Sequence, residues 1–361
     1  MGDKIVFIIN TLNVGGAAKM LRYVANIATE IFDSVFIICI YDTYIKRGDL
    51  KSEIDVVGLG FEKVNRLKRQ FTMIGALKRT IKESSPKYVC AFIGHVNVMA
   101  RIATIGMKDI IMMSAERGDP YTQPLLWRWL TKWAYRKSDY CFFQLEKARD
   151  FFGEKIRTRS FVIPNPFITS YPVSPYYGIR KKTIVSAGRF GFEKCYNDLI
   201  EAFSIVHTKY PQYELIIYGD GPMLTSYKEQ VKRLRLENHV SFPGYVKSVA
   251  KEIEQDGIFV LSSQFEGIPN SLIEAMSIGI PCIATDCTPG GPNFLLKNQE
   301  RGILVNIHDT VAMAKAICFY IENPMVAKEK GSKAVEVVEE FKESNIHNMW
   351  INAFQTIKHH E

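Results

Sequence analysis

The sequence predicts an α/β protein built from two doubly wound domains. Three observations carry that: short β-rich runs alternate with helix-like stretches, the alternation restarts near residue 183, and a proline-rich segment separates the two series. Ile5–Ile9, Ala17–Phe32 and Val35–Ile40 open the first series, and Tyr88–Ile93, Val98–Ile105 and Ile110–Met113 continue it. The second series runs Thr183–Ser186, Leu199–Lys209, Glu214–Tyr218, Tyr227–Leu234, Val240–Phe242, Ile258–Ser262, Ser271–Ile278 and Cys282–Thr285. Strand, helix, strand at this spacing marks a parallel sheet wrapped by helices. A chain of 361 residues also exceeds one ordinary core.

Pro164, Pro166, Pro172 and Pro175 cannot join a helix or a central strand, so they mark the linker, which Gly178 ends. The expected domains are 1–165 and 166–340. A terminal stretch, 341–361, carries Trp350, Ile351, Phe354 and Ile357 at helical spacing and is expected to return to the first domain.

Composition excludes several classes. The seven cysteines are an odd set without Cys-x-x-Cys, which argues for a reduced, cytoplasmic protein without a zinc site. No window approaches a membrane span, the run Ile5–Ile9 is too short for a signal peptide, and Val6 stands where myristoylation needs Ser or Thr. The net charge of +8 concentrates in the first half, in Phe61–Lys82 and Pro120–Lys137, so a negatively charged partner is expected there.

The segment Ile258–Asp286 is the richest in chemistry. A strand ends near Ser262, a loop runs through Gly267, Pro269 suits the first turn of a helix, and Gly279 stops that helix. A helix start at the carboxyl edge of a parallel sheet favours a bound phosphate. Glu266 and Glu274, eight residues apart, are carboxylates suited to sugar hydroxyls. On the residues alone it is as reasonable that Glu266 caps the helix and Glu274 lies on the surface. In Ser186–Lys194, Arg189 and Lys194 sit five apart on a strand-to-helix loop, within reach of a diphosphate; a solvated basic loop is the alternative. Gly15 and Gly16 let a ligand approach the first strand-to-helix turn, but no G-x-G-x-x-G fingerprint is present.

Together these segments resemble the retaining glycosyltransferases of family four, whose architecture, called GT-B, pairs two Rossmann-like domains across an interdomain cleft. The resemblance covers nearly the whole chain and rests on Val185–Lys194, Leu215–Pro222, Val240–Val246, the Glu-x7-Glu segment, Asn165 and the Gly15-Gly16 turn. It implies that Arg189 and Lys194 clamp the donor diphosphate, that Glu274 binds the ribose, and that Glu266 lies near the transferred sugar. It further implies that Ile268, Pro269, Asn270 and Ser271 cradle the distal phosphate and sugar, that Tyr245 and Val246 read the base, and that Gly16 closes over the phosphates. No Asp-x-Asp motif is present, so catalysis without a metal or other cofactor is expected, the donor phosphate taking the acceptor proton.

Glu116, in Ser114–Pro120, stands where many relatives have a histidine beside the reacting sugar, so Glu116 and Arg117 are candidates for the acceptor side. His95 is an alternative, although a histidine at an apolar strand end is commonly just packed. Cys195 replaces a usual glycine, and Phe294 stands where an acid is common. Trp127, Trp129, Trp133 and Tyr135 interleave with Arg128, Lys132, Arg136 and Lys137, which suits a helix lying on anionic lipid; core tryptophans with solvated cations are the alternative. The resemblance therefore implies transfer from a UDP-sugar to a lipid-linked or oligosaccharide acceptor in surface polysaccharide synthesis, peripherally at the inner membrane face and without nucleic acid. A UDP-sugar 2-epimerase and a catalytically silent sugar-nucleotide-binding subunit are the rivals.

Overall fold

The computed structural model describes residues 2–13, 16–61, 66–168 and 173–359, except for the side chains of residues 66–71. It divides into two compact units, Met1–Asn165 with Ser344–Glu361, and Pro166–Glu343. Unit 1 contains strands β1 (Lys4–Ile9), β2 (Ser34–Cys39), β3 (Asp55–Gly58), β4 (Tyr88–Phe92), β5 (Ile111–Ala115), β6 (Tyr140–Phe143) and β7 (Ser160–Val162). Its helices are α1 (Gly16–Ala28), α2 (Arg66–Ser84), α3 (Gly94–Ala103), α4 (Leu125–Arg136) and α5 (Glu146–Asp150). The strands form one parallel sheet in the order β3-β2-β1-β4-β5-β6-β7.

Unit 2 alternates strictly: β8 (Thr183–Ala187), α6 (Tyr196–Lys209), β9 (Glu214–Tyr218), α7 (Leu224–Arg233), β10 (Val240–Gly244), α8 (Val249–Glu252), β11 (Ile258–Leu261), α9 (Asn270–Ser277), β12 (Cys282–Thr285), α10 (Gly291–Leu295) and β13 (Ile303–Val305). Three further helices, α11 (Thr310–Glu322), α12 (Pro324–Ala334) and α13 (Val337–Glu340), complete it. Its sheet, β10-β9-β8-β11-β12-β13, is also parallel. Central strands such as β4, β8, β11 and β12 are buried along their whole length, because helices cover both faces. Strand order reverses between β1 and β4 in one sheet and between β8 and β11 in the other. Loops leaving such a pair at its carboxyl end diverge and open a crevice.

The last helix, α14 (Glu343–His359), packs into the core of unit 1 through Ile346, Trp350, Ala353, Phe354 and Ile357. Trp350 lies 4.8 Å from the Phe142 ring, and Phe354 makes an edge contact with Phe32 at 5.4 Å. Lys358 closes the far end on Asp3 at 2.7 Å. Trp350 is fully buried, yet its indole N–H has no hydrogen-bond partner.

Trp350→Ala should cost about 3–5 kcal/mol of stability by cavity formation. Trp350→Phe, which also removes the unpaired N–H, should cost under about 1.5 kcal/mol. Denaturant melts of the two variants decide this, and equal losses would exclude the assigned packing role.

Candidate active site

In unit 2 the loop after β8 carries Arg189 and Lys194. It rests on the loop after β9: Phe190 N–H donates to the Asp220 carbonyl at 2.8 Å, and Met223 N–H to that of Phe190 at 3.1 Å. A second stitch ties it to the loop after β11, where Gln264 N–H donates to the Glu193 carbonyl at 2.9 Å and Ser262 Oγ to that of Lys194 at 2.7 Å. The adjacency of β8 and β11 thereby brings Lys194 Nζ to 2.5 Å from Glu266 Oε1, which also accepts from Ser263 Oγ at 2.9 Å. Both side chains of the ion pair are 15% exposed. Arg189 is exposed, and its side chain makes no ion pair among the described residues.

Glu266 does not cap α9. Its own N–H donates to Thr288 O at 2.9 Å, and a side chain at Gly291 would strike the Gly267 carbonyl at 1.4 Å. The second glycine of Pro289–Pro292 thus lets the loop holding Glu266 lie flat on the start of α10. Pro269 is the residue before α9, one position earlier than the spacing predicts; it is buried, as is Ile268. Having no side-chain acceptor, Pro269 leaves the first helix turn uncapped, so the N–H groups of Asn270 and Ser271 face outward from the carboxyl edge. Gly279, with φ +69°, ends the helix as expected.

Glu274 is half-buried rather than a free surface residue: its Oε2 accepts from Val249 N–H at 2.7 Å and Ala250 N–H at 3.1 Å, capping α8. Tyr245, 77% exposed, and half-buried Val246 follow the edge strand β10, beside the end of β9, where Gly219 N–H donates to Gly244 O at 2.8 Å. Arg189, Lys194, Tyr245, Val246, Glu266 and the start of α9 thus share one edge of one sheet.

In unit 1, Gly15 lies outside the described residues, and Gly16 begins α1. After β1, buried Asp42 accepts from Thr11 Oγ1 at 2.6 Å and Leu12 N–H at 2.8 Å. A cavity of about 730 Å³ opens beyond the carboxyl ends of β4 and β5, with His95, Glu116, Gln123 and Trp127 among its walls. His95, in the first turn of α3, has its Nε2 2.6 Å from Asn10 Nδ2, and burial pushes its pKa down. Glu116 is buried; its Oε1 accepts from Arg117 N–H at 3.1 Å and Gly118 N–H at 3.0 Å, and its Oε2 from Tyr135 Oη at 3.1 Å. Burial raises its pKa against the lowering effect of these bonds.

Glu116 and Arg117 part company. The Arg117 guanidinium lies over the rings of Phe92 and Trp350, at 5.6 and 5.3 Å, and reaches the Ile163 carbonyl and Asn165 Oδ1. Its Nε and Nη2 are buried and unpartnered, and burial pulls its pKa down to about 10. It does not line the cavity that Glu116 lines.

Two features of this cavity escape sequence reasoning. Ile93 adopts φ +79°, a conformation costly for a β-branched residue, and so turns sharply from β4 into α3. Gly94 follows: a side chain there would meet Gln123 Nε2 at 2.7 Å and Glu116 Oε2 at 3.4 Å. Nothing in the apolar run before His95 announces this elbow.

Residues 178–337 match the family described as glycosyl transferases group 1. Over 98% of this chain and 99% of its own length, the Campylobacter jejuni GalNAc-α-(1→4)-GalNAc-α-(1→3)-diNAcBac-PP-undecaprenol α-1,4-N-acetyl-D-galactosaminyltransferase is 27% identical. An uncharacterized glycosyltransferase of Haemophilus influenzae is 26% identical over 95% of this chain and 97% of its own. The fold matches the lipopolysaccharide outer core galactosyltransferase WaaB, with a TM-score of 0.75, 21% identity and coverage of 98% of this chain and 99% of that one. It also matches Anabaena Alr3699/HepE in complex with UDP, with a TM-score of 0.77, 17% identity and coverage of 98% and 100%. Residues 178–337, within the second unit, therefore carry the glycosyl transferases group 1 domain, and nearly the whole chain is similar to bacterial glycosyltransferases.

Proposed function

We propose that the protein transfers a hexose from a UDP-sugar to a lipid-linked or oligosaccharide acceptor, with retention and without a metal at the diphosphate, in surface polysaccharide synthesis. The observation that carries this reading is the Lys194–Glu266 pair beside the uncapped start of α9, at one edge of unit 2. In support, HepE is described with UDP and with UDP-glucose, and the Campylobacter relative is named for an undecaprenol-linked acceptor.

With no donor, Lys194 and Glu266 neutralise each other. An arriving diphosphate competes for the ammonium, with Arg189 as a second, freely moving cation and the α9 N–H groups as fixed donors. The released Glu266 carboxylate then accepts from a hydroxyl of the sugar. Charge building on the leaving phosphate meets preorganised donors, and that phosphate takes the acceptor proton. Glu274 holds the ribose while continuing to cap α8, and the exposed Tyr245 and Val246 meet the base. The acceptor occupies the cavity of unit 1, where Glu116 receives its hydroxyl.

The membrane reading changes its residues. Tyr135 is buried, Lys132 lies over the Phe151 ring at 4.2 Å, and Arg128 is spent on the carbonyls of Tyr121 and Gln123. What α4 exposes is instead apolar: Leu125, Leu126 and Trp129, next to the Pro124 and Trp127 wall of the cavity. Exposed Arg136 and Lys137 stand at its other end. Among the described residues no helix is long and apolar enough to cross a membrane. The α4 face suits shallow insertion into the leaflet that carries the acceptor.

Arg189→Ala or Lys194→Ala should lower transfer at least about a hundredfold, the scale of one lost charge stabiliser. Rates near wild type in both would refute these roles. The double substitution Leu125→Ser with Trp129→Ser should lower partitioning onto anionic liposomes about tenfold or more, given the apolar area removed. Sedimentation indistinguishable from wild type would remove the α4 face. For Glu116 the sign follows from its raised folded pKa: its stabilising contribution is complete below the unfolded value and is lost as pH rises through the folded one. Glu116→Gln does not titrate, so its Tm relative to wild type should climb as pH rises above about 4, the ordinary glutamate value. A difference independent of pH would contradict the burial assigned to Glu116.

A further inference from the structure

We propose that Cys195, Asp198 and His308 form a site for one thiophilic divalent ion of the zinc class. The thiol sulfur, one carboxylate oxygen and one imidazole nitrogen lie within 4.8 Å of one another. Three elements deliver them. Cys195 precedes the first residue of α6, Asp198 lies in that helix's first turn, and His308 sits in the loop between β13 and α11.

Thiolate sulfur, imidazole nitrogen and carboxylate oxygen are each zinc donors, and three protein ligands with a fourth position left for water is the arrangement of open tetrahedral zinc sites. His308 Nδ1 is already 2.7 Å from Asp198 Oδ2, and the imidazole is about half exposed, so it can swing by the fraction of an ångström that an intervening ion requires. Asn197 Nδ2 donates to the other carboxylate oxygen at 2.7 Å and orients it. Asp198 also lines an open surface depression of about 590 Å³ together with Glu201, Glu229 and Arg233, a wall of three acids against one cation.

The backbone is held in uncommon conformations at two of the three ligands, with φ +47° at Cys195 and +61° at His308, where glycine is the easier residue. A cysteine thiol is ordinarily protonated at neutral pH. Binding therefore exchanges that proton for the ion: the S–H bond breaks, a sulfur–metal bond forms, and one proton leaves to buffer. Cys195 follows Lys194 directly, so an ion here would brace the loop that carries the lysine. The inference concerns metal binding alone and stands whether or not the transfer reaction proposed above is correct.

The test is titration of the reduced, metal-free full chain with Co²⁺, followed by Zn²⁺. The expected result is a near-ultraviolet thiolate-to-cobalt charge-transfer band saturating at one equivalent, bleached by Zn²⁺, with one proton released per ion. Zn²⁺ but not Mg²⁺ should raise Tm. Cys195→Gly, which relieves the positive φ and so should fold, must abolish the band, and His308→Ala must weaken binding at least about tenfold. Absence of a band in the wild type overturns the proposal. So does a band that survives Cys195→Gly, which would belong to another thiol such as the partly exposed Cys318, or one indifferent to His308→Ala.

Discussion

A lysine ammonium and a carboxylate 2.5 Å apart, each keeping 15% of its exposure, have given up most of their water. Either charge alone in that position would carry an uncompensated desolvation cost, so the two loops bearing them must arrive together. The rest of unit 2's working edge follows from that. Adjacent β8 and β11 bring the loops side by side, backbone bonds from Gln264 and Met223 fix their heights, and Gly291 lets the Glu266 loop settle on α10. Reversal of strand order at the same pair sets both loops at the sheet's topological switch point, where such folds bind ligands.

The repeating elements were legible because burial on both faces of a parallel sheet leaves unbroken apolar runs, as in Tyr88–Phe92 and Ile258–Leu261. The edge strands β3, β7 and β13 were not, since their few, mostly half-buried residues give neither a long apolar run nor a period. Motif spacing placed Arg189, Lys194, Glu266 and α9 on one loop system. It could not say that Glu266 would choose Lys194 over the helix start, or that Glu274 would cap α8, because both depend on which loops the sheet makes neighbours. Cys195, Asp198 and His308 escaped for the same reason: 110 residues separate Asp198 from His308, and no Cys-x-x-Cys pattern announces them.

Arg117 shows how sequence adjacency misleads at a strand end. Successive side chains leave a strand on opposite faces, so the residue after Glu116 points away from the cavity. There it meets the faces of Phe92 and Trp350 and the carbonyl of Ile163, tying the end of β5 both to α14 and to the last strand of the sheet. Its unpartnered Nε and Nη2 and lowered pKa mark an arginine held by packing as much as by hydrogen bonds.

The two acids assigned to the proposed transfer, one in each unit, therefore sit in opposite electrostatic states. Glu266 is held by a cation that, in the proposed transfer, a diphosphate draws away, freeing the carboxylate as the donor arrives. Glu116 has no such cation; it is buried against a tyrosine hydroxyl and two N–H groups, and burial makes it reluctant to ionise. An ion-paired acid can change partners as charge moves, whereas a buried one with fixed donors can only hold or receive a proton where it stands. The transfer proposed above asks for that division of labour: the donor's own phosphate receives the proton, and the protein supplies position and charge.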